Sequence, residues 1–371
     1  MKILYLITGL GIGGAERQVV DLADSLTELG HDVTIVYLTG LVLTEPRSAQ
    51  INILGLDVKK SILGFFCACM KLRKLIKEYK PDVIHSHMVH ANLFARLVRV
   101  SCKVPRLICT SHSVNEGGWI RMMAYRLTDF LADISTNVSN TAVSAFEATG
   151  AVRSGRMIAI HNGINTNKFQ PSHQARCNLR KLHNIHDDEK IIISIGRLNI
   201  AKDFPNLLSA FAIIPNNTNK IKLWIVGDGE LREELRAETV KLKIEHNTRF
   251  LGAQRNIADL LSAADLFVLP SAWEGFGLVI AEAMACEKIV VATDAGGVKE
   301  VLGDLGYLVP IRSPQLLASA IQRAFALPVA ESAEIGKKSR ARIVELYSMD
   351  QIVSKWISLY TSHNDTFSTL S

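Results

Sequence analysis

The sequence predicts an α/β fold made of two doubly wound domains. Short apolar runs rich in β-branched residues alternate with stretches of helical periodicity along most of the 371 residues. The alternation begins near Lys2 and restarts after about residue 150. Strands that alternate with helices form parallel sheets covered on both faces. Two such series predict two sheets, and roughly two to three domains fit a chain of this length.

The order of the strand-like runs sets the domain division. The first series contains ILYLI, VTIVYL, DVIH and RLICTS, which start near Lys2, Val33, Asp82 and Arg106. The second contains IIISIG, KLWIVG, RFLG, DLFVLPS and KIVVAT, which start near Ile191, Lys222, Arg249, Asp265 and Lys288. Between them, His161–Ser172 gathers Gly, Asn and Pro without a period of 2 or 3.6. We therefore expect a linker there, with domains over residues 1–165 and 166–347.

Composition excludes several classes of protein. Hydrophobic residues make up 48% of the chain and charged residues 21%, which fits neither wholesale disorder nor a polytopic membrane protein. The six cysteines include no C-x-x-C pair, which favours reduced thiols and a cytoplasmic location. The N-terminal apolar run is broken by Gly9 and Gly11, so we interpret it as a first strand and not as a signal peptide.

The net charge of +6 is concentrated in the first half of the chain and above all in Lys59–Lys80. Seven cations face one Glu there: Lys59, Lys60, Lys71, Arg73, Lys74, Lys77 and Lys80. An apolar stripe at helical spacing accompanies them: Phe65, Cys69, Leu72 and Ile76, with Phe66 beside it. Either Lys71, Arg73, Lys74 and Lys77 contact an anionic membrane surface, or this is an ordinary domain helix with a solvated basic face. Nucleic-acid binding is not predicted, because no recognised module is present.

A glycine-rich turn follows the first predicted strand. Gly9–Arg17 opens a helical pattern, and Gly13 and Gly14 stand at its start. Glycines at such a turn let a ligand approach backbone N–H groups at the positive end of the helix, which suits phosphate. The spacing departs from a dinucleotide fingerprint, so a plain tight turn is the alternative.

The second series carries a pair of cations after its first strand. Ser194–Asp203 ends the strand with Gly196 and places Arg197 and Lys202 five residues apart on the loop. Two cations placed in this way can neutralise a diphosphate leaving group without a metal. A solvated loop with incidental charges is the alternative.

A pair of carboxylates follows in Pro270–Ala285. Glu274 lies on a glycine-flanked loop, and Glu282 lies eight residues later on a helix that begins near Leu278. The carboxylates can hold hydroxyl groups, while the free N–H groups between them can hold a phosphate. Glu282 alone could instead only stabilise the helix N-terminus.

Taken together, these motifs resemble the retaining, nucleotide-sugar-dependent glycosyltransferases of the GT-B fold, of the family 4 type. Glu274 and Glu282 match the family's E-x7-E element, and Arg197 and Lys202 match its basic pair. Further matches follow in the expected order: Asn162–Phe169, Val226–Gly229, Phe250–Gly252 and Gly296–Glu300. The resemblance spans about Met1 to Tyr360. It implies two Rossmann-like domains facing across a cleft, and a C-terminal helix, about 348–371, that crosses back to the N-terminal domain.

The resemblance also implies roles at the matching positions. Glu282 would hold the donor ribose hydroxyls, and Glu274 would contact the transferred sugar. Arg197 and Lys202 would bind the diphosphate. The backbone N–H groups of four residues would assist them: Gly275, Phe276, Gly277 and Leu278. Gly13 and Gly14 would approach the donor from the facing domain.

One residue of the first domain joins this set. His112, in the run Cys109–His112, matches the family's histidine that reaches the donor sugar. A hydrogen bond that strengthens in the transition state there would aid catalysis. A satisfied loop histidine is the alternative.

Two further features of the sequence are a departure from the family's usual motif after Glu282 and a group of three histidines at residues 85–90. Glu287 and Ile289 replace a Gly and a Pro that are usual in the family, at positions that touch no proposed donor atom. His85-Ser-His87-Met-Val-His90 has a spacing that suggests zinc, but no Cys or carboxylate nearby completes the site. We interpret it as a strand-end loop on the acceptor side. No D-x-D triplet occurs, so we expect neither a metal nor another cofactor.

These expectations describe the retaining transfer of a hexosyl or N-acetylhexosaminyl group from a nucleotide sugar, with a UDP-sugar favoured. The acceptor is expected to be a lipid-linked glycan at the inner face of the cytoplasmic membrane. The process would be the assembly of a bacterial surface polysaccharide, such as O-antigen, capsule or lipopolysaccharide. Two alternatives stay open: a nucleotide-sugar epimerase or hydrolase on the same frame, and a non-catalytic sugar- or lipid-binding relative.

Overall fold

The structure, a computed structural model, describes residues 1–59, 61–215 and 220–362. The chain forms two compact units. The first comprises Met1–Gly163 together with the segment from Met349 onward, and the second comprises Ile164–Ser348. Lys60 of the basic segment and residues 363–371 of the predicted C-terminal helix lie outside the described residues. Each unit holds one parallel sheet flanked by helices, so the predicted pair of Rossmann-like domains is confirmed.

The first unit contains a seven-stranded sheet in the order β3-β2-β1-β4-β5-β6-β7. Its strands are β1 (Lys2–Ile7), β2 (Asp32–Tyr37), β3 (Asn52–Gly55), β4 (Val83–His87), β5 (Leu107–Ser111), β6 (Ile134–Asn137) and β7 (Met157–Ala159). Its helices so far are α1 (Gly14–Glu28), α2 (Ile62–Tyr79), α3 (Val89–Arg99), α4 (Trp119–Thr128) and α5 (Asn140–Ala148). The strands are rich in buried apolar residues because helices cover both faces of the sheet.

The second unit contains a six-stranded sheet in the order β10-β9-β8-β11-β12-β13. Its strands are β8 (Lys190–Ile195), β9 (Ile221–Val226), β10 (Thr248–Gly252), β11 (Leu266–Leu269), β12 (Ile289–Thr293) and β13 (Tyr307–Val309). Its helices are α6 (His173–Leu182), α7 (Phe204–Ile213), α8 (Arg232–Lys241), α9 (Ile257–Ala263), α10 (Leu278–Ala285), α11 (Val298–Leu302), α12 (Pro314–Phe325) and α13 (Val329–Tyr347).

The chain then returns to the first unit through α14 (Met349–Thr361). Its buried residues, among them Ile352 and Trp356, share one core with α1 and with the β1 side chains Ile3, Tyr5 and Ile7. The alternate β1 side chains, Leu4 and Leu6, point to the other face and pack with α2 and α3. The predicted return of the C-terminal helix is therefore confirmed. Among the described residues, no helix combines the length and apolar character needed to cross a membrane.

Candidate active site

Each sheet contains one pair of neighbouring strands whose following connections leave in opposite directions. In the first unit the pair is β1 and β4, and in the second it is β8 and β11. Open α/β sheets bind ligands at the carboxyl ends of such strands. The glycine turn after β1, the basic loop after β8 and the Glu274 loop after β11 all start at these points.

In the second unit, a lysine and a glutamate from these two loops form an ion pair. The ammonium of Lys202 contacts Glu274 Oε1, and the Ser271 hydroxyl donates to the same oxygen at 2.8 Å. The side chains of Lys202 and Glu274 are only 21% and 11% exposed. The two loops are also joined through their backbones, since the Ala272 N–H donates to the Ala201 carbonyl at 2.9 Å. The topology thus joins two residues that lie 72 positions apart.

Glycines allow the strand ends of the second unit to approach closely. Gly227 has φ +133°, and a Cβ atom there would collide with the carbonyl oxygen of Gly196. Only glycine fits this position without moving the loop after β8. On that loop the Asn199 side chain accepts from the backbone N–H of Lys202 at 3.3 Å, which orders the turn that carries the cation.

The loop after β11 leads into α10 through Gly277, which has φ +86°. This left-handed conformation favours glycine and lets the helix begin at Leu278. Phe276 is buried and packs its ring on Tyr347, with 5.5 Å between ring centroids. Glu282 lies in α10 and is 3% exposed. Gly275 to Glu282 therefore form one ordered loop–helix element, as the sequence predicts, while Arg197 lies exposed on the loop after β8.

In the first unit, His112 follows β5 and is hydrogen-bonded to a second histidine. Its Nε2 lies 3.1 Å from Nδ1 of His87. Burial lowers the pKa of His112 to about 4, and burial with the neighbouring histidines holds the pKa of His87 well below its usual value. Both rings are therefore neutral at neutral pH.

The hydrogen bond between these two rings also fixes their tautomers. His87 Nε2 is buried and has no partner among the described residues. A buried N–H without an acceptor is rarer and costlier than an unused lone pair. We therefore assign the shared proton to His87 Nδ1, which leaves His112 with its N–H on Nδ1.

His85 lies two residues before His87 in strand β4, and its side chain reaches α14. Its Nδ1 is 2.7 Å from the Tyr360 hydroxyl, and its Nε2 is 2.6 Å from the Thr110 hydroxyl. The centroid of its ring lies 4.0 Å from that of His87, with the two ring planes tilted by 36°. The interpretation of His85–His90 as a strand-end loop is therefore wrong: His85 and His87 belong to β4. All five residues of that strand are buried because helices and neighbouring strands enclose it.

A half-buried glutamate that the sequence analysis overlooked, Glu116, lies beside His112. Burial raises the pKa of Glu116 to about 7, although the nearby His112 backbone N–H and Ser111 hydroxyl act in the opposite direction. Its Oε1 atom has no partner among the described residues. The sequence did carry a signal for this residue, since Glu116 lies four positions after His112. A loop that follows a strand at this edge of the sheet places both side chains near the site.

The glycine turn of the first unit has the predicted form. Helix α1 begins at Gly14, and Gly13 precedes it with an extended backbone. A Cβ at Gly13 would press on the Glu16 side chain, and a Cβ at Gly9 would lie 3.0 Å from the Thr39 carbonyl oxygen. The turn is therefore tight, and it opens onto the N-terminal N–H groups of α1.

The basic segment forms α2. Leu72 and Ile76 are buried in the sheet core as the stripe predicts, whereas Phe65 and Phe66 are 38% and 65% exposed. Phe65 contacts the Phe94 ring edge-on at 5.4 Å. The apolar face of α2 is thus only partly used by the core.

Comparisons with known proteins agree with this architecture. Residues 12–168 match the family Glycosyltransferase Family 4, and residues 176–345 match the family Glycosyl transferases group 1. N-acetyl-alpha-D-glucosaminyl L-malate synthase of Bacillus anthracis is 31% identical over 374 residues, which cover 94% of each chain. A Campylobacter jejuni N-acetylgalactosaminyltransferase whose name specifies a diphospho-undecaprenol acceptor is 27% identical, over 84% of this chain and 86% of its own.

A solved structure shows the same fold. The crystal structure of Anabaena HepE in complex with UDP and glucose superimposes with a TM-score of 0.84 at 23% identity, covering 98% of this chain and 100% of the other. The fold and these matches define a glycosyltransferase. The chain belongs to the family 4 glycosyltransferases with the GT-B fold.

Proposed function

We propose that this glycosyltransferase moves a hexosyl or N-acetylhexosaminyl group from a nucleotide sugar to a glycan acceptor, with retention of the anomeric configuration and without a metal ion. The observation that supports this most is the Lys202–Glu274–Ser271 cluster at the switch point of the second sheet. A cation and a carboxylate held together there suit a substrate that carries both a diphosphate and sugar hydroxyls.

The second unit is proposed to bind the donor. Glu282 accepts hydrogen bonds from the ribose hydroxyls, and Glu274 from a hydroxyl of the transferred sugar. Arg197 and Lys202 neutralise the diphosphate. The backbone N–H groups of Gly275, Phe276, Gly277 and Leu278 and those of the Gly13–Gly14 turn add donors for phosphate oxygens. UDP is the first nucleotide to test, because it is the one in the Anabaena complex.

The proposed reaction proceeds by attack on the same face as the leaving group. The bond between the anomeric carbon and the phosphate oxygen breaks, and the acceptor oxygen bonds to that carbon. The acceptor proton passes to the departing phosphate oxygen, which releases the nucleoside diphosphate. Lys202 and Arg197 stabilise the charge that develops on the diphosphate, so their effect is greatest in the transition state.

His112 is proposed to donate from Nδ1 to the transferred sugar. Its pKa of about 4 keeps the ring neutral over the whole physiological range, so it acts as a hydrogen-bond donor and not as a cation. The His87 bond to Nε2 supports this role, because it leaves the N–H on the other ring nitrogen.

The acceptor is proposed to be a lipid-linked glycan of a bacterial surface polysaccharide. The diphospho-undecaprenol acceptor in the name of the Campylobacter relative supports this. The enzyme would then work at the inner face of the cytoplasmic membrane. Lys71, Arg73, Lys74 and Lys77 of α2 would contribute about 1 kcal/mol each from contact with anionic lipid.

Donor binding is tested by thermal unfolding with UDP-, GDP- and ADP-sugars. Ligand at 100 times its dissociation constant should stabilise the native protein by about 2.7 kcal/mol. We expect one nucleotide class to raise the Tm of the wild type and to lose that effect in Glu282→Ala. Glu334→Ala, which removes an exposed carboxylate of α13 paired with Lys338, is the matched control and should keep the response.

Transfer is then assayed with the donor so identified. Product NMR should show the donor's anomeric configuration, and the rate should be unchanged by EDTA. An inverted product would reject the stereochemistry. Donor consumption at the same rate without any acceptor would instead favour a hydrolase, and the absence of stabilisation by every donor would favour a non-catalytic relative.

A further inference from the structure

Two helices of the first unit begin with the same exposed apolar pattern. Helix α2 starts at Ile62 and α4 starts at Trp119. In both, the first, second, fifth and ninth residues are large, apolar and exposed: Ile62, Leu63, Phe66 and Met70 in α2, and Trp119, Ile120, Met123 and Leu127 in α4. Their exposed fractions run from 48% to 90%. These positions span about 100° around a helix, so each helix carries one apolar stripe directed away from the core.

The sheet topology places the two stripes at the same edge of the unit. Helices α2, α3 and α4 follow β3, β4 and β5, so all three begin at the carboxyl edge of the sheet. The connections from β3 to β4, from β4 to β5 and from β5 to β6 all run in the same direction along the strand order. Because such connections are right-handed, α2, α3 and α4 lie on the same face of the sheet. The Phe65–Phe94 ring contact joins α2 to α3, which packs in turn on α4.

The charges of α2, α3 and α4 complement an anionic surface. Arg96 and Arg99 of α3 pair with Asp129 and Asp133. The other charged residues of α2, α3 and α4 are six cations and one acid: Lys71, Arg73, Lys74, Lys77, Arg121, Arg126 and Glu78. The helices on the opposite face, α1 and α14, carry five acids and two cations: Glu16, Asp21, Asp24, Glu28, Asp350, Arg17 and Lys355.

We propose that the stripes of α2 and α4 together form a docking surface for an anionic lipid bilayer. This inference rests on the proposed function, in which the acceptor is lipid-linked, and adds α4 as a second membrane-contacting helix. Trp119 and Ile120 enter the headgroup region with Ile62 and Leu63, while the cations of both helices contact lipid phosphates. Tryptophan favours this interfacial region, and apolar burial adds to the attraction between the cations and anionic lipid. The shared positive charge of the face disfavours its pairing with a second copy of the chain.

Vesicle flotation of the full chain tests this surface. Wild type should float with vesicles of phosphatidylcholine and phosphatidylglycerol but not with phosphatidylcholine alone. Ile120→Glu/Leu127→Glu should lower the bound fraction at least about tenfold, because two exposed apolar contacts become anionic. Leu29→Glu/Leu41→Glu is the matched control. It makes the same change at two exposed leucines outside α2 and α4, 61% and 77% exposed, and should float like wild type.

Trp119 supplies a second readout that does not depend on the added charges. Its emission should shift to shorter wavelength with anionic vesicles, and Trp119→Phe should abolish most of that shift. Trp224 and Trp356 are buried, and Trp273, 46% exposed, belongs to the second unit and not to the proposed surface, so the shift that Trp119→Phe removes reports on α4.

Three outcomes would overturn the proposal. These are wild-type flotation that Ile120→Glu/Leu127→Glu does not reduce, wild type that stays unbound with anionic vesicles, and a wild-type dimer that the double variant converts to a monomer. Donor stabilisation, measured on the same samples, separates this inference from the proposed function. A double variant that keeps donor stabilisation but loses flotation supports the docking surface. A wild type that floats but responds to no donor contradicts the proposed function alone.

Discussion

The carboxyl edges of the two sheets carry side chains in opposite electrostatic states. In the second unit the loops present a charged pair, Lys202 and Glu274, in a partly exposed position. In the first unit, burial keeps His112 and His87 neutral and raises the pKa of Glu116 to about 7. The comparison teaches that one fold can keep side chains charged at the edge of one sheet and neutral at the edge of another through how deeply they are buried.

Removal of Lys202 should produce the largest effect, because it eliminates the cation of the charged pair in the second unit. We expect Lys202→Ala to lower kcat/KM about 100- to 1,000-fold, since the developing charge on the diphosphate loses a cation. Steady-state kinetics with the identified donor measure this. Lys220→Ala is the control: Lys220 pairs with Asp188 at 2.7 Å, but both side chains are more than half exposed. A Lys202→Ala enzyme as active as this control would contradict the proposed role.

Replacement of Glu116 tests whether burial in the first unit disfavours the ionised form of this side chain. Its native pKa of about 7 lies above the ordinary value of 4.5, so the native state binds this proton more tightly than the unfolded state. Ionisation of Glu116 therefore costs stability progressively as pH rises from 4.5, and the cost is complete above pH 7. We expect Glu116→Gln to be more stable than wild type by about 3 kcal/mol at pH 8, with the difference vanishing near pH 4.5.

Urea unfolding of both proteins at the two pH values measures this difference. An advantage of Glu116→Gln that is the same at both values would show that the Glu116 proton is not responsible. A variant that is less stable than wild type at pH 8 would show that the native state favours the ionised carboxylate, contrary to the raised pKa of Glu116.

Loss of the Tyr360 hydroxyl should have the smallest of the three effects. This hydroxyl lies 3.1 Å from that of Tyr5 and 2.7 Å from His85 Nδ1, so Tyr360→Phe leaves two buried polar groups with one partner fewer. We expect a loss of about 1–2 kcal/mol in unfolding free energy. A double-mutant cycle with Tyr5→Phe isolates the coupling between the two hydroxyls. Strict additivity would contradict a hydrogen bond between them.

Sequence patterns predicted most strands from their apolar residues and missed strands such as β6, whose residues are mostly polar. KILYLI of β1 and KIIISI of β8 were predicted from their runs. The strand β6 reads ISTN, and all four residues are buried although three are polar. They are tolerated because partners within the fold satisfy them: Ser135 bonds to Asp129, and Thr136 to Thr110. Such strands depend on tertiary partners that no local pattern reveals.

The candidate site, too, could be predicted from the sequence only in part. The loops that carry Lys202, Glu274 and His112 could be located from glycines and strand ends, because those signals are local. The pairing of Lys202 with Glu274 and of His112 with His87 depends on strand order, which brings distant segments together. The role of these residues in catalysis stays a prediction.

The return of α14 to the first unit has a consequence for how the protein is made. The β1–α1 core is encoded at the start of the chain, but Ile352, Trp356 and Leu359 complete it. A ribosome that adds about 5–20 residues per second needs roughly 10–40 s to pass from the end of residue 163 to α14. During that interval the apolar flank of α1 is uncovered on the nascent chain. The first unit is thus begun first and finished last, and a ribosome-associated chaperone that binds apolar segments would meet that flank before α14 does.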